Sequence, residues 1–249
     1  MYREWLAYKR DFARSLINSL CWPFLTGVTY GYIMPLLGLG KTYAGFMIVG
    51  SVISVGIYTA FSEAWLLAID FDTDRKIDFE MTLPWPLYMV VLKNVMRIAF
   101  VTFLRILPLP FVSKLLVYQQ FSFAHISPLS VLIILPLATV MISVSMLCGA
   151  HAVQSRFFMD FRLRIVDQMF FLGCFMFPWA IMYKALPGGA YLSLLNPVVH
   201  MMEATRTAFF GQEGFLPFGI SCTVLIIEAT LFFFLSIYLF KRRLDTIST

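Results

Sequence analysis

The sequence predicts an all-α membrane protein with six transmembrane helices, and three observations favour this fold class. The chain of 249 residues is 60% hydrophobic and only 13% charged, whereas soluble domains average about 45–50% apolar and about 25% charged residues. Its mean hydropathy is +0.81. Six apolar segments are long enough to cross a bilayer, and charged or Pro- and Gly-rich stretches separate them. Because we find no internal repeat or soluble region, residues 1–249 are expected to form a single transmembrane domain.

The start of the chain has the pattern of a helix that lies on the membrane surface. Within residues 1–15, Trp5 and Phe12 fall near one helical face, whereas Arg3 and Arg10 fall on another. A basic amphipathic helix of this kind lies in the headgroup layer. The segment is too charged for a cleavable signal peptide. We therefore predict an interfacial helix on the cytoplasmic side.

Six segments are predicted to span the membrane. The third is the least regular, because Arg105, Pro108 and Pro110 interrupt it, and the fifth is short. An even number of crossings places both ends of the chain on the same side. The predicted spans are residues 16–39, 43–69, 95–112, 128–153, 165–183 and 218–240.

The distribution of Lys and Arg predicts the orientation of these spans. With the start of the chain in the cytoplasm, the predicted inner segments hold 14 of the 19 basic residues and the outer segments hold four. Cytoplasmic segments of membrane proteins carry an excess of Lys and Arg. The bias therefore predicts that both termini are cytoplasmic.

The stretch before the last span is apolar but too broken to cross. Prolines and glycines divide residues 184–217 into pieces shorter than a span. Asn196 and Pro197 form an N-cap and first-turn pair, which predicts a short helix over residues 198–210 that ends at Gly211. We expect short re-entrant helices in the outer leaflet, with their irregular backbone covered by protein or water.

Two charged residues fall near the middle of predicted spans, Arg105 in the third and Glu228 in the sixth. A charge at this depth costs at least about 2.5–3.5 kcal/mol on insertion scales, so it usually faces the protein interior and pairs. We predict that these two residues pair. The alternatives are helix–helix attachment without a functional role, a substrate contact, or exposure to a water-filled cavity.

The chain has no predicted nucleotide, metal or hydrolytic site. The sequence from Gly38 to Thr42 ends like a phosphate-binding loop, but Pro35 occupies the place of that motif's first glycine, and the segment follows a span instead of a strand. The three His residues lack ligand spacing, and no Ser or Thr has a plausible His and Asp partner. Any ATP-driven work would therefore have to come from a partner.

Two stretches together carry a family resemblance. The region 71–92 includes Thr82-Leu83-Pro84, and the Leu195-Asn196-Pro197 segment continues through Glu203 and Arg206 to Gly211. With the amphipathic start and the overall length, they resemble the membrane subunit of ABC-2 type exporters, which handle polysaccharides, lipid-linked sugars and drugs. The resemblance covers nearly the whole chain.

This resemblance implies a permease that works with other subunits. Two copies would form a dimer in membrane lipid, and each would dock a separate ATPase through a coupling helix within residues 70–86. ATP and Mg would be bound by that ATPase and no cofactor by this chain, and no nucleic acid is implied. Three apolar residues would fill a groove of the ATPase, and charged neighbours would set the register. The expected docking residues are Arg75, Lys76, Asp78, Phe79, Glu80, Met81, Leu83 and Pro84.

The resemblance further implies that the first and fifth spans line the substrate path. The substrate would be a lipid-linked glycan, a lipid or another amphipathic molecule crossing a bacterial inner membrane. A drug exporter remains open, as does an ion-coupled secondary transporter that uses Glu228 and Arg105, although such folds usually show repeated halves. An intramembrane enzyme and a membrane scaffold without transport activity are the other two alternatives. The expected path residues are Trp22, Tyr30, Phe175, Phe177 and Trp179.

Overall fold

The computed structural model describes residues 17–38, 43–74, 84–116 and 126–247, and all regular structure in these ranges is helical. The predicted interfacial helix and the docking residues 75–83 lie outside the described residues. Within the described ranges, five helices are long and apolar enough to cross a membrane, which supports a multi-pass membrane protein. These five are Ile17–Leu37, Tyr43–Asp72, Leu87–Val112, Pro128–Ala152 and Phe218–Leu244.

The helices are numbered in chain order. Helix α1 is Ile17–Leu37, which ends in a π-helical turn and a 3₁₀ turn. A π-helical turn, Asp70–Asp74, extends α2, and another, Arg162–Val166, joins α6 to α7. The remaining helices are α2 (Tyr43–Ile69), α3 (Leu87–Ile106), α4 (Leu109–Leu116), α5 (Pro128–Ala152), α6 (Phe158–Phe161), α7 (Asp167–Leu172), α8 (Trp179–Ala185), α9 (Pro187–Ser193), α10 (Pro197–Phe210) and α11 (Phe218–Ile247).

Four of the predicted spans correspond closely to α1, α2, α5 and α11. The third begins earlier than predicted, at Leu87 instead of residue 95, because the helix starts directly after the extended Pro86 and Lys93 does not interrupt it. Pro108 lacks an amide hydrogen and follows the last residues of α3, and α4 starts at Leu109. Hydropathy therefore located four spans well and shortened the third, which carries three basic residues.

The core forms around α5, which packs against α2, α3, α10 and α11. Small residues allow the helices to approach closely. Gly56 of α2 faces Thr102 and Ile106 of α3, and a Cβ added there would lie 3.2 Å from the Ile142 side chain of α5. Helix α2 is buried along most of its length. Helices α2 and α3 are antiparallel, and the contact at Gly56 fixes the height of α3 residues relative to α2 residues.

Three helices end at the same face of the bundle. Arg243 near the end of α11 donates to Asp72 at 2.7 Å and to the Val153 carbonyl at 3.0 Å, just beyond α2 and α5 respectively. At the opposite face, the amide of Ser127 donates to the Ala208 carbonyl at 3.0 Å. The chain between residues 153 and 208 therefore passes from one face of the bundle to the other.

The predicted fifth span, residues 165–183, is wrong as a continuous helix. Helix α7 ends at Leu172 and α8 begins at Trp179, with irregular backbone between them. Gly173 ends α7, Cys174 has a positive φ of 60°, and Pro178 is extended. Hydropathy averaged over a window of the sequence detects that these residues are apolar. It does not detect that their backbone interrupts the helix.

The broken segment nevertheless follows α2 from one face toward the other. Near one end, the Phe61 and Phe158 rings stack with centroids 4.9 Å apart. At the far end, the hydroxyl of Tyr43, the first residue of α2, donates to the Met176 carbonyl. These contacts place residues 158–176 antiparallel to α2 over about 27 Å, at 1.5 Å per helical residue.

Candidate functional site

The break between α7 and α8 is the most unusual feature of the described fold. Main-chain groups without helical partners are costly away from water, so they need other hydrogen-bond partners. Gly173 is needed where the chain leaves α7, because an added Cβ would lie 2.4 Å from the Val198 side chain of α10. Helix α10 therefore packs directly on the break, and its side chains are placed to satisfy the backbone groups there.

Arg206 of α10 satisfies the carbonyl groups on one side of the break. Its side chain is fully buried and donates to the Cys174 carbonyl at 2.6 Å and the Phe175 carbonyl at 2.5 Å. The guanidinium carbon lies 3.6 Å from the centroid of the Phe46 ring of α2. A Cβ added to Gly50 would lie 3.1 Å from Arg206, so the absence of a side chain there makes room for the guanidinium. Arg206 thus ties the broken backbone to α2.

Glu203, one turn earlier on α10, satisfies amide groups on the other side. Its carboxylate accepts from the amide of Trp179, the first residue of α8, at 3.0 Å. It also accepts from the amide of Leu216, in the loop before α11, at 3.1 Å. The side chain is fully buried. One carboxylate therefore fixes both the start of α8 and the approach to the last span.

The two charges also compensate each other, although weakly as a direct pair. The closest distance between them, from Arg206 Nη1 to Glu203 Oε1, is 3.9 Å, which is beyond hydrogen-bond length. Burial raises the pKa of Glu203, opposed by the Trp179 amide and by Arg206. Burial lowers the pKa of Arg206, and the neighbouring Glu203 opposes this shift. The main role of each charge is to hydrogen-bond backbone groups.

The start of α10 completes the attachment. The side chain of Asn196 accepts from the Val198 amide at 3.0 Å and donates to the Met169 carbonyl of α7 at 2.7 Å. Pro197 occupies the first turn, and α10 ends before Gly211, which has a φ of 90°. The predicted N-cap, helix and terminating glycine are confirmed. The five residues singled out in this segment belong to one helix and its two ends.

The predicted path residues do not form one surface. Phe175 is buried, Phe177 is half-buried, and Trp179 donates its indole N–H to the Ala190 carbonyl at 2.9 Å. Tyr30 of α1 packs edge-on against Tyr43, whose hydroxyl contacts the broken segment. Trp22, on the same helix, is exposed. Four of the five therefore lie on or near the break, and Trp22 does not.

The predicted pair between Arg105 and Glu228 is wrong in this structure. Arg105 lies 3.6 Å from Glu63 of α2, and Arg97 lies 3.8 Å from the same carboxylate. Glu228 of α11 has one carboxylate oxygen buried with no hydrogen-bond partner among the described residues. The rotation of each helix, which sequence position does not give, decides which charges meet.

Two residues at the face where α2, α5 and α11 end were missed by the sequence interpretation. Asp72 accepts from Arg243 at 2.7 Å and from the Ser155 amide at 2.6 Å. Arg243 also donates to the Ala150 and Val153 carbonyls at the end of α5. We call this cluster the Asp72–Arg243 clasp. The available signal was that the predicted spans place all of these residues at one face, but the basic residues were interpreted only as orientation signals.

Of the predicted docking residues, only Pro84 falls among the described residues, where it is exposed. The clasp joins the chain immediately before the docking segment to the ends of α5 and α11.

Comparison with models of known protein families, with curated proteins and with solved structures found no match to this chain. The fold and the contacts described above are therefore the basis for assigning a function.

Proposed function

We propose that this chain is a membrane transport protein. The observation that supports this class is the break between α7 and α8, placed beside the buried helix α2 and held by the fully buried side chains of Glu203 and Arg206. Irregular backbone at membrane depth is tolerated where it is buried in protein or lines a water-filled cavity, and broken helices are typical of transporters. A protein that only anchors or spans would need no such device.

Within this proposal, the broken segment makes a sixth crossing. It passes between the faces defined by the Asp72–Arg243 clasp and by the Ser127–Ala208 hydrogen bond. Six crossings put both ends of the chain on one side, and the excess of basic residues favours the cytoplasm for that side. The resemblance to ABC-2 type exporters implies that the membrane is a bacterial inner membrane. Helices α8 to α10 then form the re-entrant structure near the outer surface.

The particular protein we propose is the permease subunit of an ABC-2 type exporter. The Leu195-Asn196-Pro197 segment that resembles this family begins the helix that carries Glu203 and Arg206. The segment proposed to dock the ATPase follows the clasp directly along the chain. ATP binding and hydrolysis in the separate ATPase would therefore act on α2, α5 and α11 together, and two copies of the chain would form the complex.

The proposed substrate is a lipid-linked glycan, a lipid or another amphipathic molecule. The mostly apolar and aromatic residues near the break, among them Tyr43, Trp179 and Tyr183, offer ring surfaces with a few polar atoms. A small-molecule drug is the alternative within the same class. Arg105 lies beside Glu63 of α2, which disfavours an ion-coupled transporter built on an Arg105–Glu228 pair.

The proposed sixth crossing predicts that tags at the two ends of the chain have the same accessibility. In intact cells, an alkaline phosphatase fusion after Thr249 should be inactive, and a green fluorescent protein fusion at the same place should fluoresce. The same two fusions at the N-terminus should give the same results. A fusion placed after Gly214, in the loop between α10 and α11, should show the reverse pattern and serves as the control. Opposite patterns at the two ends would reject the sixth crossing.

The proposed ATPase docking predicts a large effect of one substitution. Leu83→Asp should abolish co-purification of the chain with its ATPase subunit, because a carboxylate cannot enter an apolar groove without losing its hydration. The measurement is tandem-affinity purification after co-expression with each ABC ATPase of the source organism. The wild-type chain should recover one of these ATPases, in an amount equal to its own.

Leu36→Asp provides the matched control, since Leu36 is an exposed leucine at the end of α1, on the side proposed to be extracellular. It should leave the complex intact. An intact complex in the Leu83→Asp variant would show that residue 83 does not dock the ATPase. Failure of every ATPase to bind the wild-type chain would reject the exporter assignment itself.

A further inference from the structure

The charged contact between α2 and α3 contains more positive than negative charge. Glu63 of α2 lies between Arg97 and Arg105 of α3, at 3.8 Å and 3.6 Å. We call these three residues the α2–α3 seam. Two guanidinium groups and one carboxylate leave an excess positive charge within two spans, where an uncompensated charge is costly. The seam therefore requires another anion or access to water.

The seam also contains a buried hydrogen-bond donor that has no partner among the described residues. Neither distance to Glu63 is short enough for a hydrogen bond, and Arg105 Nε is buried without a hydrogen-bond partner among the described residues. Each guanidinium carries five N–H donors in a planar fork that fits the oxygens of a phosphate or carboxylate. A ligand with several anionic oxygens would satisfy both groups at once.

The position of the seam indicates which leaflet it faces. The packing of Gly56 against Thr102 and Ile106 puts Arg97 level with Glu63, which is about 9 Å of helix before the end of α2 at Ile69. Arg105 lies about 12 Å farther along α3 and extends back toward Glu63. The seam thus occupies the half of the bundle nearer the Asp72–Arg243 clasp.

The surroundings of the seam are exposed and apolar. The three charged side chains are 15% to 23% exposed, so a ligand can reach them from outside the bundle. Leu66, one turn from Glu63, is 58% exposed, and Met96 and Phe100 of α3 are also exposed. Charged groups beside exposed apolar side chains match a molecule with an anionic head and hydrocarbon chains. Basic pockets between transmembrane helices on the cytoplasmic side bind anionic lipid headgroups.

We propose that the α2–α3 seam binds the phosphate of an anionic phospholipid from the adjoining leaflet, with its acyl chains against Leu66, Met96 and Phe100. Arg97 and Arg105 donate to the phosphate oxygens, and Glu63 holds the two guanidinium groups apart and limits their affinity for anions. This site is separate from the break, so it does not depend on the transport function proposed above.

Lipid binding to the purified chain tests this inference. Native mass spectrometry would measure binding of phosphatidylglycerol and of phosphatidylcholine with the same acyl chains. The wild-type chain should prefer phosphatidylglycerol by at least about fivefold, the effect of one basic group near an anionic lipid surface. Arg97→Gln and Arg105→Gln should each lose about fivefold in phosphatidylglycerol affinity with little change for phosphatidylcholine.

Two further variants keep the test independent of folding defects. Glu63→Gln should bind phosphatidylglycerol more tightly than the wild-type chain, because both guanidinium groups lose their competing anion, and misfolding cannot imitate this gain. Arg164→Gln is the control, since Arg164 is 80% exposed and forms an ion pair with Asp160 away from the seam. It should bind both lipids like the wild type.

Four results would overturn the proposal. They are equal binding of the two lipids by the wild-type chain, an equal loss in Arg164→Gln, a loss in Glu63→Gln, and displacement of bound phosphatidylglycerol by millimolar inorganic phosphate. The last result would assign the seam to a soluble phosphate compound instead of a lipid. Selective binding that inorganic phosphate does not displace, with the opposite effects of the Arg and Glu63 variants, would support it.

Discussion

Replacing Arg206 by Met should lower the free energy of unfolding by about 3–5 kcal/mol, the range for removing one member of a buried charge pair. Met preserves much of the side-chain length and removes the charge and all five donors. The Cys174 and Phe175 carbonyls would lose their hydrogen bonds, and the buried carboxylate of Glu203 would lose its compensating cation. Denaturation in mixed micelles would measure the change.

Arg164→Met is the control for this experiment, because Arg164 and its partner Asp160 are both largely exposed. Exposed ion pairs contribute about 0–1 kcal/mol, so this variant should unfold almost like the wild type. The double variant Glu203→Gln/Arg206→Met should cost less than the sum of the two single changes, since no buried charge remains unpaired. Equal stability of the Arg206 and Arg164 variants would show that the break does not depend on Arg206.

Replacing Arg243 by Met should release the ends of three helices from one another. Arg243 of α11 donates to Asp72 and to the last carbonyls of α5, and its guanidinium lies 4.8 Å from the Phe71 ring centroid. Hydrogen bonds that involve a charged group contribute about 1.5–3 kcal/mol, so we expect a loss of about this size. Hydrogen–deuterium exchange should rise at residues 153–157, where the Ser155 amide donates to Asp72.

Lys241→Met is the matched control, since Lys241 is an exposed basic residue two positions earlier on the same helix. It should leave both stability and exchange unchanged. If the Arg243 and Lys241 variants exchange at the same rate, the clasp does not hold these helix ends together. If the exporter proposal is also correct, Arg243→Met should reduce transport more than ATPase binding, because Arg243 lies outside the docking segment.

The sequence predictions were correct where the physical cause acts between residues that are neighbours along the chain. Asn196 and Pro197 start α10 as predicted, because N-capping and a proline in the first turn involve only neighbouring backbone groups. Continuous apolar segments likewise identified α1, α2, α5 and α11. The predicted fifth span failed because residues 173–178 are apolar in composition but have no helical backbone.

The predicted Arg105–Glu228 pair shows the opposite case, in which the cause is not local. Glu63 is the acidic residue that α2 presents to Arg105. The packing of Gly56 against α3 sets this register. Sequence position does not give the facing helix, so it could not identify Glu63 as the partner of Arg105.

The amino-acid sequence by itself determined that this chain is helical and apolar enough for a membrane, and it determined where several helices begin and end. These properties follow from residue composition and from interactions a few residues apart. Only the tertiary structure decided that the fifth segment is broken, that Glu203 and Arg206 satisfy its backbone, and that Arg105 meets Glu63. Those contacts join distant parts of the chain, so they depend on the rotation and height of packed helices, which neighbouring residues along the chain do not specify.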